Sequence, residues 1–237
     1  NETPFSKESL QGLQLLVIAN AIARENEKKW ILPTPSAFTD AEIQAVRDWV
    51  AGGGSLMLIA DHMPFPGAAE KLAKEFGVTE WRNGFAAYDG KLGPLRFEPV
   101  PKSETASKDA TSSSSNQLMA LPGKQESVPW VTTFTGSCFK TEEAAFHPLL
   151  RLGEKALSIE PKQAWQFNAN TQRQEVPSYL QGAVREFGKG RVAIFGEAAM
   201  FTAQASGGAP FGLSDPKAKH NQAFLLQTVL WLTPEPK

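Results

Sequence analysis

Asp61 and His62 stand side by side where the apolar run Ser55-Leu56-Met57-Leu58-Ile59-Ala60 gives out. A carboxylate beside an imidazole can move a proton or grip a polar ligand near neutral pH. Glu197 holds the matching place after a second run, Arg191-Val192-Ala193-Ile194-Phe195-Gly196, and is followed by Ala198-Ala199-Met200-Phe201. Among such neighbours a carboxyl is desolvated and its pKa raised, as a general acid or base requires. Glu197 and His62 are therefore the candidate catalytic pair. Asp61, Asn20, His220 and Asn221 are the candidate ligand-binding residues. Each has a plainer reading. Asp61 could cap its own loop through backbone N–H groups, with His62 packed under Met63-Pro64-Phe65. Consecutive strand residues point oppositely, so only a turn at 61–62 lets both face one site. Glu197 could accept from the next turn or pair with Arg191. His220 could be a surface residue beside an Asn221 that bonds the loop backbone. His147, ahead of Pro148, reads as structural.

Other chemistries find less support. A zinc ion needs about three protein donors, which Asp61, His62, Glu197 and His220 could supply, but no short-spaced His or Cys motif exists. No metal is assigned, and the cofactor is left open. Cys138 is the one cysteine, so no disulfide forms within the chain, and the thiol reads as a small buried residue. Gly-x-Ser-x-Gly is absent, which argues against a nucleophile-elbow serine hydrolase. Gly52-Gly53-Gly54 lacks the Gly-Lys-Ser/Thr ending of a phosphate loop and precedes a strand. Trp30, Trp81 and Trp130 fall in connecting segments and are candidates for stacking on a sugar. Trp49 and Trp231 lie on helical segments and read as core.

The elements that must position these residues follow from periodicity. Residues 13–20 read as a strand buried on both faces, and 21–38 as a long connection. Thr39 and Glu42 form a capping box ahead of Ile43, Val46 and Val50 at helical spacing. The glycine triplet stops that helix, and residues 55–60 form the next buried strand. Residues 66–76 read as a helix closed by Gly77. Residues 79–127, rich in Gly, Pro, Ser and Lys and including Ser112-Ser113-Ser114-Ser115, read as a loop-rich excursion. Residues 128–134 predict a strand, 141–150 a short helix, 156–159 and 164–167 strands, and 168–178 a polar loop. Residues 183–187 and 191–196 are strands joined by Gly188-Lys189-Gly190. A glycine-rich loop spans 203–214, and 216–232 is the final helix. Alternating strands and helices imply an α/β fold with a mainly parallel open sheet. Ligands of such sheets bind beyond the carboxyl ends of the strands, which is where Asn20, Asp61, His62 and Glu197 fall.

Composition bounds the function classes. The 237 residues suit one domain over 1–237 with a sizeable core: 41% are hydrophobic and 21% charged. With 24 Lys plus Arg against 25 Asp plus Glu, the net charge of −1 favours neither nucleic acid nor an anionic membrane. No apolar run approaches the ~18 residues of a membrane span. The first residue is Asn1 rather than methionine. The expectation is that a leading piece was removed, an export signal (periplasmic or secreted) among the candidates.

Two stretches carry a resemblance. FTDAEIQAVRDWVAGGGSLMLIADH, residues 38–62, is similar to domains of the class I glutamine amidotransferase-like superfamily. GAVREFGKGRVAIFGEAAMFTAQ, residues 182–204, with HNQAFLLQTVLWL, residues 220–232, resembles a branch of it. That branch includes trehalose-utilisation-like proteins and domains of gliding-motility and intraflagellar-transport type. The resemblance covers roughly residues 13–77 and 180–232. It implies a flavodoxin-like three-layer sandwich and, with twelve residues ahead of the first strand, a chain lacking its first βα unit. It departs from the glutaminase pattern: no Cys follows strand 55–60, and His220 is followed by Asn221 and Gln222 rather than by a Glu two residues on. Glutaminase chemistry is therefore not expected. Three readings remain: a domain binding a small polar or sugar-like ligand at the strand ends, a metal-assisted or acid/base hydrolase using His62 and Glu197, and a protein-interaction module of an envelope or transport assembly. The oligomeric state is left open.

Overall fold

A computed structural model describes residues 3–99, 115–142 and 144–234. In chain order its helices are α1 (Lys7–Leu10), α2 (Asp40–Ala51), α3 (Phe65–Lys74) and α4 (Asn221–Leu232). The strands are β1 (Leu15–Ala19), β2 (Ser55–Ile59), β3 (Val78–Arg82), β4 (Phe85–Tyr88), β5 (Pro94–Pro99), β6 (Gln117–Leu118), β7 (Val131–Phe134) and β8 (Cys138–Thr141). They continue with β9 (His147–Arg151), β10 (Ala156–Glu160), β11 (Gln172–Glu175), β12 (Leu180–Phe187), β13 (Gly190–Phe195), β14 (Ala203–Ser206) and β15 (Ala209–Gly212).

The protein is a mixed α/β fold built on a large sheet, ten-stranded among the described residues. β1, β2 and β13 run parallel along one side of it. Among the described residues β1 pairs only with β2 and is half-exposed, not buried on both faces as expected, because it forms the sheet edge. β12 joins β13 antiparallel through the Gly188-Lys189-Gly190 turn, and β9 continues the sheet antiparallel to β12. Every residue of β2 is buried, because its two faces meet different helices. Leu56 and Leu58 pack with Ile43, Val46 and Val50 of α2 and Leu72 of α3. Met57 and Ile59 pack with Phe224 and Leu232 of α4. The start of α2 is set locally. The Glu42 N–H donates to Thr39 Oγ1 at 3.3 Å, and the Glu42 carboxylate accepts the Thr39 N–H at 2.9 Å. Such a cap is worth about 1 kcal/mol. Among the described residues no helix is long and apolar enough to cross a membrane.

Several expected elements differ. The stretch 141–150 forms the end of β8 and most of β9 instead of a helix; Glu143 lies outside the described residues. A short apolar run fits either element by periodicity, and here β12 offers an open edge that Pro148 joins at a register shift. Residues 164–167 form no strand. Both edges of β10 are already taken by β4 and β11, leaving 164–167 nothing to pair with. The polar loop expected at 168–178 contains β11, an exposed edge strand without alternation. The glycine-rich loop 203–214 is a hairpin of β14 and β15. The last helix begins at Asn221; Pro216–Ala218 is a separate 3-10 turn capped by the Asp215 carboxylate. The 79–127 excursion supplies β3 to β6; its residues 100–114, with Ser112 to Ser114, lie outside the described residues.

Candidate functional site

The parallel register carries three polar residues to one rim. Ala19 pairs with Ile59 and Ile59 with Phe195. Asn20, Asp61 and Glu197 follow these positions by one or two residues. Asn20 adopts a left-handed backbone, φ 51°, which asparagine tolerates better than most residues. Its Oδ1 accepts the Asp61 N–H at 2.9 Å. Asp61 then turns the chain, accepting the His62 N–H on Oδ1 at 2.8 Å. That turn frees His62 from strand alternation.

The His62 imidazole enters an aromatic cluster. It stacks on Phe85 at 4.5 Å, 11° from coplanar, and meets Trp165 edge-on at 4.7 Å. Trp30 and Phe65 complete the ring at 5.8 and 6.0 Å. Its Nδ1 lies 2.8 Å from the Met63 carbonyl oxygen, which makes Nδ1 the protonated nitrogen, because a carbonyl can only accept. Part of the cluster faces solvent: Trp165 is 54% exposed, and Trp30 and Phe167 are 36% exposed.

Glu197 is wholly buried. It accepts the Ala199 N–H on Oε1 at 3.0 Å and the Met200 N–H on Oε2 at 2.7 Å, capping the 3-10 turn Ala199–Phe201. Arg191 is not its partner. Arg191 sits at the far end of β13 and donates to the Trp231 carbonyl oxygen. Burial, then the charge of Asp61, push the Glu197 carboxyl well above the usual carboxylate range against its N–H donors. Burial raises Asp61 too, against the pull of His62 and of the His62 and Ala198 N–H groups. Two buried carboxyls acting on each other resist holding two charges, so they titrate as a pair. The acidic neighbour acting on Glu197 is thus Asp61. His62 acts on Asp61.

The loop beneath the pair is tightly held. Gly136 has φ 68°, and a Cβ there would overlap the Gly196 carbonyl oxygen and come within 2.7 Å of Glu197 Cγ. Ser137 Oγ accepts the Trp81 indole N–H at 2.9 Å and donates to the Ala60 carbonyl oxygen at 3.0 Å. Gln181 Nε2 donates to the Thr135 and Ser137 carbonyl oxygens at 2.8 and 2.9 Å. Thr135 itself has φ 102° and Trp165 has φ 66°. These are costly conformations for such side chains, of order 1–3 kcal/mol each, and they tend to cluster at functional sites.

The other candidates lie deeper or aside. Asn221 is buried; it accepts the Thr132 N–H at 3.0 Å and donates to the carbonyl oxygens of Thr132 and Met200. It supports the turn that Glu197 caps. His220 packs edge-on against Trp130 at 4.1 Å. Trp130 is flanked by Arg96 and Lys219 at 4.2 and 4.8 Å and donates to the Lys217 carbonyl oxygen. Trp81 is on β3 and buried, so it offers no stacking surface. Cys138 is buried and its thiol is pushed up by that burial. Among the described residues no three His, Cys, Asp or Glu side chains converge on a metal position. The zinc set considered above is therefore not assembled. Phe167 and Phe85 escaped the sequence reading, which counts Trp165 only as one of six tryptophans that could include a stacking platform. The available signal was two aromatics two residues apart just after Pro161.

No family model and no curated protein matches the sequence. Solved structures do. The chain is similar to the mmIFT52 N-terminal domain, with TM-score 0.57 and 13% identity, over 100% of this chain and 84% of that one. It is similar to a cytoplasmic protein of Salmonella typhimurium, with TM-score 0.52 and 10% identity, over 98% and 77%. A putative ThuA-like protein from Bacteroides uniformis matches at TM-score 0.48 and 11% identity, over 98% and 74%. At such identities the likeness concerns the fold.

Proposed function

We propose that this chain is a single amidotransferase-like domain, flavodoxin-like in lineage and without glutaminase chemistry. It binds a small polar, sugar-like ligand at the carboxyl ends of β1, β2 and β13. One observation carries the reading. Exposed Trp30 and Trp165 flank His62, with exposed Phe167 next to Trp165, immediately beside the Asp61 carboxyl. Aromatic faces cover the apolar face of a sugar ring, and nearby carboxyl and imidazole groups fix its hydroxyls; pockets commonly combine such apolar walls with a few placed polar groups. The strained backbones of Asn20, Thr135 and Trp165 fall at the same rim. The fold likeness to the mmIFT52 N-terminal domain fits the lineage.

Calorimetric titration with a panel of mono- and disaccharides tests this reading. Saturable binding is expected, weakened about tenfold or more in Trp165→Ala, as for loss of ~1.4 kcal/mol of stacking. No binding across the panel, or binding indifferent to both Trp165→Ala and Trp30→Ala, refutes it. A second reading is favoured by the paired carboxyls of Asp61 and Glu197. An acid/base hydrolase would use Asp61 with His62 as its partner, and Glu197 as the buried carboxyl that the Asp61 charge raises. Turnover of an aryl glycoside or ester, lost in Asp61→Asn, would select it.

A further inference from the structure

A cleft of about 1160 Å³ opens at the opposite rim, where the amino ends of β1, β2 and β13 meet. It slightly exceeds the ~300–1,000 Å³ typical of small-molecule pockets. Glycine makes the space. Gly52, Gly53 and Gly54 line it without side chains, and a Cβ at Gly54 would overlap the Trp49 indole, 2.2 Å from its nearest ring atom. The indole therefore lies against bare backbone and forms an aromatic wall.

Two cations beside this wall are uncommitted. Among the described residues Lys7 and Lys189, both exposed, make no ion pair. The Trp49 indole N–H has no hydrogen-bond partner among them either. The other charges are spent. Arg191 is bound to the Trp231 carbonyl oxygen and to Glu186, and Asp48 to Arg47 and Gln44. The backbone amides are spent as well. Those of Gly52, Gly53, Gly54 and Lys189 donate to the Asp48, Val50, Trp49 and Ala51 carbonyl oxygens. A bare phosphate would find no nest of N–H groups here. An anion carried on a flat ring would find two lysines and an indole face.

We propose that this cleft binds a small ring-bearing organic anion, its ring against Trp49 and its acid group held by Lys7 and Lys189. The site is independent of the one at the carboxyl rim. The probe is 1-anilinonaphthalene-8-sulfonate, followed by its emission on the folded protein, with inorganic phosphate as competitor. One saturable site per chain is expected, weakened about tenfold or more in the double variant Lys7→Glu/Lys189→Glu. It should be unchanged in Trp165→Ala and undisturbed by millimolar phosphate. Both lysines are exposed, so the double variant should keep its melting temperature, and a matched melt verifies this. Absence of saturable binding, binding indifferent to the lysine changes, or binding lost in Trp165→Ala overturns the proposal.

Discussion

Glu197→Gln isolates the electrostatics of the buried pair. Gln keeps the shape and one acceptor oxygen. Its NH₂ group, however, faces one of the two N–H donors, from Ala199 or Met200, that the carboxylate now satisfies. Losing one acceptor at a buried donor costs about 1–3 kcal/mol, and that cost does not depend on pH. The wild-type carboxyl does. It titrates near 4.5 when unperturbed and well above that in the fold, chiefly from burial and then from Asp61. From 4.5 upward the unfolded chain releases this proton while the folded chain keeps it. The folded state then binds more protons, and stability falls as pH rises, by up to ~1.4 kcal/mol per pH unit, until the folded-state value is passed. E197Q lacks this loss. The variant is thus expected to be less stable than wild type at pH 5, with the gap narrowing toward pH 8 and reversing where the carboxylate is forced to ionise. Urea unfolding of both proteins at pH 5, 6, 7 and 8 reads the difference directly. Asp61→Asn should flatten the wild-type slope in part, because it removes the second cause and leaves the first. A gap between wild type and E197Q that stays constant from pH 5 to 8 would refute the raised Glu197 carboxyl and its coupling to Asp61.

Gly136→Ala should destabilise by about 2 kcal/mol or more, because the site combines a positive φ with overlap on the Gly196 carbonyl oxygen and Glu197; thermal unfolding checks it, and a change within about 0.5 kcal/mol would contradict the packing described. Ser137→Ala leaves the buried Trp81 indole N–H without its acceptor and should cost about 1–3 kcal/mol, measured by urea unfolding. Cys138 should resist a disulfide-exchange reagent in the folded protein and react fully on unfolding, since burial raises its thiol pKa and closes access; rapid native labelling would show the strand open.

The segments that organise the heart of the sheet were readable locally. A capping box at Thr39, a glycine triplet, and two apolar runs ending in Asp61 and Glu197 suffice to place α2, β2 and β13, because caps, helix stops and buried strands depend on near neighbours. The antiparallel side was not. β9 looks helical until β12 is there to receive it, and β11 looks like loop until β10 supplies its partner. The site divides the same way. Asp61, His62 and Glu197 are visible as polar tips of apolar runs. Trp165 and Phe167 are not, because their value comes from meeting Phe85 and His62, which lie about eighty or more residues earlier in the chain.

By itself, the amino-acid order determined which polar residues could end a strand at the carboxyl rim, and that the sequence given holds no Cys after strand 55–60 and no His-x-Glu pattern for glutamine hydrolysis. Only the tertiary structure decided that the partner of Glu197 is Asp61 and that His62 is given over to an aromatic cluster. Coulomb coupling and ring packing act through space over a few ångströms, and that proximity arises when β2 and β13 are laid side by side.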